Sequence, residues 1–289
     1  MTARPAELRG AAEELGAAFP PLLAAADQLA ATVLLGAHGR RRAGQGDDFW
    51  QYRPSQPGDP ARLIDWRRSA RSDQVQVRER EWQLAQSVLL WIDPAASMGF
   101  QSKGQPTKAW RAQTLGLALA LLMLRSGERV GLTGFDVPPR AGRSQALRLT
   151  EALVAASEED FGAPEARGMR PHARAVFISD FLGDPAPVRA ALEKAADRGV
   201  RGALLMVLDP QERAFPFRGR TLFESMGKAM RHETQEARSL RGAYLARLED
   251  RIETLKAWAR AASWQFDVHL TDVPPRAALT WLYHAVEAR

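Results

Sequence analysis

Residues 87–93 read Ser-Val-Leu-Leu-Trp-Ile-Asp, a short apolar run that ends in an acidic residue. The run shows little alternation of apolar and polar side chains, which is typical of a strand covered on both faces. Residues 173–180 repeat the pattern as Ala-Arg-Ala-Val-Phe-Ile-Ser-Asp. Because helical patterns alternate with these runs along the chain, the sequence predicts parallel βαβ units.

The same patterns assign the elements around these two strands. Further buried strands are predicted at residues 129–135 and 202–208, and helices at residues 108–125, 145–157, 188–198 and 245–262. Residues 264–271 alternate, which predicts a half-exposed strand at a sheet edge with His269 on its more exposed face. We therefore predict a three-layer, Rossmann-like α/β fold, in which a mostly parallel sheet of at least five strands is flanked by helices. Ligands of such sheets bind at the carboxyl ends of the strands.

Composition divides the chain into three zones. Residues 1–39 are rich in Ala and Leu and predict an N-terminal helical segment. Residues 40–82 form an irregular region dense in Arg, Asp and aromatic residues, where several prolines favour extended chain and turns. A half-exposed strand is expected there around Val75 and Val77. Residues 83–289 contain the predicted sheet and its helices.

Length and composition exclude several classes of protein. The chain has 289 residues, of which 45% are hydrophobic, enough for a sizeable core. It has no cysteine, which excludes disulfides and thiolate metal sites. Its apolar runs are shorter than a membrane-spanning helix needs, and its first residues do not resemble a signal peptide. We expect a cytoplasmic protein without a membrane span.

The segment after the first strand suggests a metal site. Asp93-Pro94-Ala95-Ala96-Ser97 resembles the D-x-S-x-S motif of the metal-ion-dependent adhesion site in von Willebrand factor A domains. The resemblance implies a von Willebrand A-like domain with a degenerate Mg²⁺ site of Asp93, Ser97, Ser144 and Asp180, because Ala95 replaces one hydroxyl. Mg²⁺ prefers such oxygen ligands. The alternative is a loop in which both aspartates cap neighbouring helices or accept backbone hydrogen bonds and bind no metal.

The irregular region carries a second and longer resemblance. Residues 57–71 read Pro-Gly-Asp-Pro-Ala-Arg-Leu-Ile-Asp-Trp-Arg-Arg-Ser-Ala-Arg, and this string is similar to the signature of the domain-of-unknown-function 58 family. The motif positions are Arg53, Pro57, Gly58, Asp59, Arg62, Asp65, Trp66 and Arg71. The family resemblance implies a von Willebrand A-like domain after the motif and a MoxR-type AAA+ ATPase as partner. It also implies a non-catalytic adaptor for assembling or remodelling other proteins.

Other interpretations of the same residues stay open. The arginines of the motif region either form a docking surface or pair internally with nearby aspartates, and Trp66 is expected to be a packing anchor. Arg40-Arg41-Arg42 allows nucleic-acid binding, although a net charge of +6 with both signs interspersed gives it little support. A metal-dependent hydrolase is the remaining alternative. A phosphate-binding loop and a nucleophile elbow are both absent from the sequence, so we expect no enzyme.

Overall fold

The computed structural model describes residues 21–33, 49–56, 61, 64–71, 74–80, 86–135, 137–154, 159–165, 168–228 and 231–287. The chain divides into two compact units, one of residues 1–38 with 86–289 and one of residues 39–85. The strands of the described residues are β1 (Phe49–Pro54), β2 (Gln76–Arg80), β3 (Ser87–Ile92), β4 (Arg129–Leu132), β5 (Val137–Arg140), β6 (Arg174–Ser179), β7 (Arg201–Leu208), β8 (Thr221–Glu224), β9 (Arg231–Thr234) and β10 (Gln265–Leu270). Their α-helices are α1 (21–33), α2 (Trp66–Ser69), α3 (Lys108–Arg125), α4 (Arg143–Val154), α5 (Ala186–Ala196), α6 (Pro210–Ala214), α7 (Arg241–Ala261) and α8 (Pro275–Glu287).

The larger unit is built on a six-stranded sheet in the order β10-β7-β6-β3-β4-β5. All neighbours pair in parallel except β5, which runs antiparallel to β4 at one edge. The registers of β3, β6 and β7 are in step, so that Ile92 lies opposite Ile178 and Ile178 opposite Leu205. The predicted α/β fold with a mostly parallel sheet between helices is confirmed.

Alternate residues of the central strands build two separate cores. Val88, Leu90 and Ile92 of β3 face a cluster made with α1, α3, α4 and α8. Leu89 and Trp91 face the opposite cluster, made with α5 and α7. Because side chains alternate across a strand, a continuous apolar run such as residues 88–92 is what a sheet with two covered faces requires. Helix α1 thus packs within the larger unit.

The smaller unit contains a two-stranded antiparallel sheet of β1 and β2. The short helix α2 precedes β2, and the side chain of Asp65 caps it by accepting a hydrogen bond from the Arg68 N–H at 3.1 Å. Ile64 forms an isolated bridge with Val77, whose side chain is buried. The expected strand around Val75 and Val77 is therefore present as β2, beginning at Gln76.

Three parts of the larger unit go beyond the sequence prediction. Strand β5 contains Pro138 and Pro139, which argue against a central strand but are tolerated at a sheet edge. The hairpin of β8 and β9 and the C-terminal helix α8 were also not predicted. Among the described helices, none combines the length and apolar character needed to cross a bilayer.

Candidate functional site

The two predicted aspartates meet at the carboxyl edge of the sheet. Asp93 directly follows β3 and Asp180 directly follows β6, and these strands are neighbours. The Asp93 N–H donates to the carbonyl of Ile178 at 2.9 Å, which continues the pairing of the strands to their ends. Each aspartate is only 1% exposed. Two carboxylates are therefore held at adjacent strand ends, and their charges need compensation from the surrounding protein.

Asp93 is compensated by donors from its own surroundings. Its Oδ1 accepts the Ala95 N–H at 2.9 Å, and its Oδ2 accepts the Ser179 hydroxyl at 2.6 Å. Burial raises the pKa of Asp93 above its ordinary value, and these two hydrogen bonds offset part of that rise. The expectation that the aspartates accept backbone hydrogen bonds is thus met at this position.

Asp180 is compensated by a buried lysine. Lys108, the first residue of α3, is 1% exposed, and its Nζ lies 2.8 Å from Asp180 Oδ2 and 2.6 Å from Glu212 Oε1. The other Asp180 oxygen accepts the Leu182 N–H at 3.1 Å. Burial alone would lower the pKa of Lys108, but the two carboxylates outweigh it and raise that pKa. The lysine therefore carries its positive charge inside the protein.

Glu212 reaches this lysine from the short helix α6. Its second oxygen accepts the Asp209 N–H at 2.8 Å, which forms a capping box at the start of the helix. Burial raises the pKa of Glu212, and the ammonium group of Lys108 opposes that rise. We assign the ionised form, because both carboxylate oxygens accept from donors. We call Asp93, Lys108, Ser179, Asp180 and Glu212 the strand-end cluster.

Asp209 ties the cluster to the loop before α3. It is fully buried, and its Oδ2 accepts the Ser102 N–H at 2.8 Å while its Oδ1 accepts the Gln211 N–H at 2.8 Å. The hydrogen bond to Ser102 joins segments that are 107 residues apart in the chain. The helix that carries Glu212 is therefore fixed relative to the loop that leads to Lys108.

The turn after Asp180 is held in an unusual backbone conformation. Phe181 has a φ of 49°, which is uncommon for a bulky side chain. Its N–H donates to the Ser179 hydroxyl at 2.9 Å, and its carbonyl accepts from the Arg251 guanidinium at 2.7 Å. Arg251 also donates to the Gly183 carbonyl at 2.6 Å. This turn is thus braced from α7, which fixes the position of Asp180.

Ser97 lies in the 3-10 turn Ala96–Gly99 after Asp93. It is 8% exposed, and within the described residues its Oγ has no hydrogen-bond partner. Its N–H donates to the carbonyl of Asp160 at 2.9 Å, so a second loop lies against the turn. That loop passes close to the carboxylate, since a Cβ built on Gly162 would lie 2.0 Å from Asp93 Oδ1.

The structure does not bring Ser144 to the strand-end cluster, and its assignment to the site is wrong. Ser144 is exposed near the start of α4. Because β5 runs antiparallel, its last residue, Arg140, pairs with Val130 near the beginning of β4. The chain therefore enters α4 at the opposite end of the sheet from Asp93. The expectation failed because β5 was not recognised as a strand.

The remaining residues do not fit a divalent metal ion. Mg²⁺ requires about six oxygen ligands at short range, but Ala95 supplies no side-chain oxygen and Ser144 lies elsewhere. The Lys108 ammonium group already contacts Asp180, and it would repel a second cation there. Within the described part of the chain, no group of three or more acidic or histidine side chains could hold a metal.

An apolar side chain lies beside the Ser97 turn. Met226, in the turn between β8 and β9, is 47% exposed, and a Cβ built on Gly99 would lie 3.5 Å from its Cε. The same turn is joined to the second loop by the Ser225 hydroxyl, which donates to Asp160 Oδ2 at 2.9 Å. Lys103, in the loop after the Ser97 turn, is also exposed. We call Met226, Gly99 and Lys103 the rim of the strand-end cluster.

The residues of the family motif have separate positions in the smaller unit. Arg53 belongs to β1, and Pro57, Gly58, Asp59 and Arg62 lie outside the described residues. Asp65 caps α2, and its N–H donates to the Gln76 carbonyl at 2.9 Å. Trp66 is 63% exposed and Arg71 is exposed, so the expectation that Trp66 is a packing anchor is wrong. The first helical turn after Asp65 directs this tryptophan to solvent.

The prediction that His269 lies on the more exposed face of the last strand is wrong. His269 is 5% exposed, and its Nε2 lies 3.4 Å from an Arg111 nitrogen. Arg111 donates to the carbonyls of Thr271 and Val273 at 2.7 and 2.8 Å. Burial, together with the charge of Arg111, lowers the pKa of His269 to about 4. β10 lies at the sheet edge as predicted, but His269 is buried, with Arg111 of α3 beside it.

Three members of the site could not be assigned from sequence patterns alone. Lys108 is visible as the residue after the helix cap Thr107, but nothing in its neighbourhood pairs it with Asp180, 72 residues away. Glu212 is readable only as part of a capping box, Asp-Pro-Gln-Glu, after β7. Met226 belongs to a hairpin that was not predicted.

Comparison with known proteins gives the family. The model of the family described as "Protein of unknown function DUF58" matches residues 51–253. Two mycobacterial proteins, uncharacterized protein Mb1516 of Mycobacterium bovis and uncharacterized protein Rv1480 of Mycobacterium tuberculosis, are each 30% identical over 234 residues. Each alignment covers 73% of this chain and 71% of the relative.

Two solved structures resemble part of the chain. The conserved hypothetical protein BatB of Bacteroides thetaiotaomicron is 13% identical with a TM-score of 0.41. An aerotolerance-related membrane protein of Bacteroides fragilis is 17% identical with a TM-score of 0.48. Each match covers 71% of this chain and 100% of the other. The family match over residues 51–253 includes most of the motif region and the sheet, and this chain therefore belongs to the DUF58 family.

Proposed function

We propose that this protein is a cytoplasmic, non-catalytic adaptor whose carboxyl sheet edge binds another protein, with a MoxR-type AAA+ ATPase as the partner. The observation that carries the proposal is the strand-end cluster, in which buried charges from β3, α3, β6 and α6 meet beside an exposed apolar side chain. We infer the von Willebrand A-like character of the domain and the ATPase partner from the sequence resemblance.

The charges of the cluster serve structure rather than chemistry in this proposal. The Asp93 oxygens accept from Ala95 and Ser179, and Lys108 bridges Asp180 and Glu212. A general base or nucleophile must face its substrate with a free lone pair. These carboxylates instead point into the protein and accept from its own donors, which suits a group that fixes the shape of the surrounding loops.

The rim provides the contact itself. Met226 is an exposed apolar side chain at this edge, and methionine adapts its shape readily to a partner. It is fixed over the Ser97 turn by the contacts of Gly99, Ser225 and Asp160.

The exposed tryptophan of α2 supports a second contact in the smaller unit. Trp66 lies beside Arg67 on a helix of four residues, and both side chains are exposed. Tryptophan and arginine are the residues most enriched at the energetic centres of interfaces. The positive charge of Arg67 favours an acidic surface on the partner.

The experiment is a binding titration of the whole chain against a MoxR-type ATPase from the same genome, combined with measurement of ATP turnover. We expect a stoichiometric complex and a changed rate of ATP hydrolysis. Trp66→Ala should weaken the complex without changing the melting temperature of the chain. Failure to bind, together with unchanged ATP turnover, would refute the ATPase as partner.

The two alternative functions have distinct outcomes. A metal-dependent hydrolase would cleave generic phosphate or ester substrates, and Asp93→Asn would abolish that cleavage. A nucleic-acid-binding protein would retain DNA or RNA on a filter with an affinity that falls steeply with salt. We expect neither activity from the purified chain.

A further inference from the structure

The strand-end cluster contains a positive charge of its own where the resemblance to adhesion sites implies a metal ion. Lys108 Nζ contacts Asp180 and Glu212 at 2.8 and 2.6 Å. Its side chain is 1% exposed, whereas Glu212 is 14% exposed at the outer side of the pair. The lysine therefore reaches the carboxylates from inside the protein, along the first turn of α3.

The position of the lysine is fixed by the start of its helix. Thr107 caps α3 by accepting the Trp110 N–H at 3.0 Å, and the Lys108 N–H donates to the Phe100 carbonyl at 3.2 Å. The ammonium group also lies 5.8 Å from the centre of the Phe100 ring, within the range of a cation–π contact. Backbone and aromatic contacts thus hold this charge at the sheet edge.

The strand-end cluster offers fewer oxygen ligands than a metal ion would need. Position 95 is alanine, Ser144 lies at the other end of the sheet, and both Asp93 oxygens accept hydrogen bonds from the chain. The buried Ser97 hydroxyl has no hydrogen-bond partner among the described residues. While Lys108 engages Asp180 and Glu212, the remaining oxygen donors do not make an octahedral site.

We propose that the ammonium group of Lys108 is the resident cation of this site and replaces the divalent metal ion, so that the protein needs no metal to maintain its sheet edge. The lysine pairs with both Asp180 and Glu212 and offsets one of their two negative charges. The inference concerns the chain alone and does not depend on which protein is the partner.

The test has two measurements on the whole chain. Electron paramagnetic resonance measures the binding of Mn²⁺, and thermal unfolding measures whether Mg²⁺ changes the melting temperature. The wild type should bind no stoichiometric Mn²⁺, and Mg²⁺ should not change its melting temperature. In Lys108→Ala, the freed carboxylates should bind Mn²⁺ at least tenfold more tightly than the wild type, and Mg²⁺ should raise the melting temperature. Lys194→Ala, which removes an exposed lysine of α5 outside the cluster and the rim, should behave like the wild type.

Two results would overturn the inference. One is stoichiometric Mn²⁺ binding by the wild type that is lost in Asp93→Asn or Asp180→Asn. The other is a folded Lys108→Ala variant that binds no Mn²⁺, because the lysine would then not occupy a cation site. If Lys108→Ala folds only when Mn²⁺ is present, the inference is supported. If the variant does not fold at all, the Mn²⁺ binding of the wild type decides. Since no partner is needed, failure of this test is separate from failure of the adaptor proposal.

Discussion

At the scale of single residues, the ion pairs of Lys108 are buried, where an unpaired charge would be strongly destabilising. Lys108, Asp180 and Glu212 are enclosed by β6, α3 and α6. Removing one partner of a buried pair leaves the other charge desolvated, and this loss exceeds the net contribution of the intact pair. The cluster therefore acts as a structural unit in which each member depends on the others.

Lys108→Met tests this dependence, because methionine keeps an unbranched side chain but removes the charge. We expect the free energy of unfolding at pH 7 to fall by about 3 to 5 kcal/mol. Urea denaturation followed by circular dichroism measures the change. Lys103→Met, at an exposed position, should alter stability by less than about 0.5 kcal/mol. Equal stability of the two variants would show that the buried ammonium group is not needed.

His269 gives the fold a dependence on acid. The pKa of His269 is about 4 in the folded protein, and the ordinary value of 6.5 applies to the unfolded chain. Between pH 4 and pH 6.5, the unfolded chain therefore binds a proton that the folded chain does not. Stability contributed by neutral His269 is present above pH 6.5 and is lost as the pH falls toward 4. The loss amounts to about 3 kcal/mol over that window.

His269→Gln removes the titrating ring. Urea unfolding at pH 7 and at pH 4.5 should show a smaller difference in stability for the variant than for the wild type, by about 2 to 3 kcal/mol. The same pH dependence in both proteins would mean that His269 is charged in the folded state.

At the scale of elements, close approach between helix and sheet fixes the position of α3, which carries Lys108. Gly116 is the contact point, since a Cβ built on it would lie 2.2 Å from Ile92 Cδ1. Ile92 immediately precedes Asp93. The spacing of α3 from β3 therefore also sets the depth at which the lysine meets the carboxylates.

Gly116→Ala should force the helix or the isoleucine to move, and we expect a loss of about 1 to 3 kcal/mol of stability from overpacking. Gly242→Ala in α7 is the matched control, because nothing lies within 4 Å of its added Cβ. That control should be neutral or more stable by up to about 1 kcal/mol, since alanine favours a helix. Thermal or urea unfolding of both variants provides the comparison, and a destabilised control with an unaffected Gly116→Ala would contradict the packing argument.

The elements differ in how much their sequences reveal. β3 and β6 are predictable because residues 88–92 and 175–178 are apolar on both faces, which few other structures require. β5 is hidden by Pro138 and Pro139, whose lost hydrogen-bond donors are tolerated only because the strand lies at an edge. Missing β5 placed Ser144 at the wrong end of the sheet. An error in one edge strand thus became an error in the site.

At the scale of the whole molecule, parallel topology explains what could be predicted of the site. Asp93 and Asp180 each end a buried strand, so a parallel sheet brings them to one edge regardless of the intervening sequence. Lys108 and Glu212 depend instead on the three-dimensional course of the loops before α3 and α6. Contacts across 72 and 104 residues leave no local pattern in the sequence.

At this edge, we propose that the rim contacts a partner while the buried cluster fixes the shape of the rim. This proposal is tested by the dissociation constant for the proposed MoxR-type ATPase, compared between Met226→Glu and Leu147→Glu. Both side chains are exposed, at 47% and 50%, but Leu147 lies on α4, which starts at the opposite end of the sheet. We predict that Met226→Glu weakens binding at least tenfold, about 1.4 kcal/mol, while Leu147→Glu leaves it within twofold. Equal affinities of the two variants, or a larger loss in Leu147→Glu, would contradict binding through the rim.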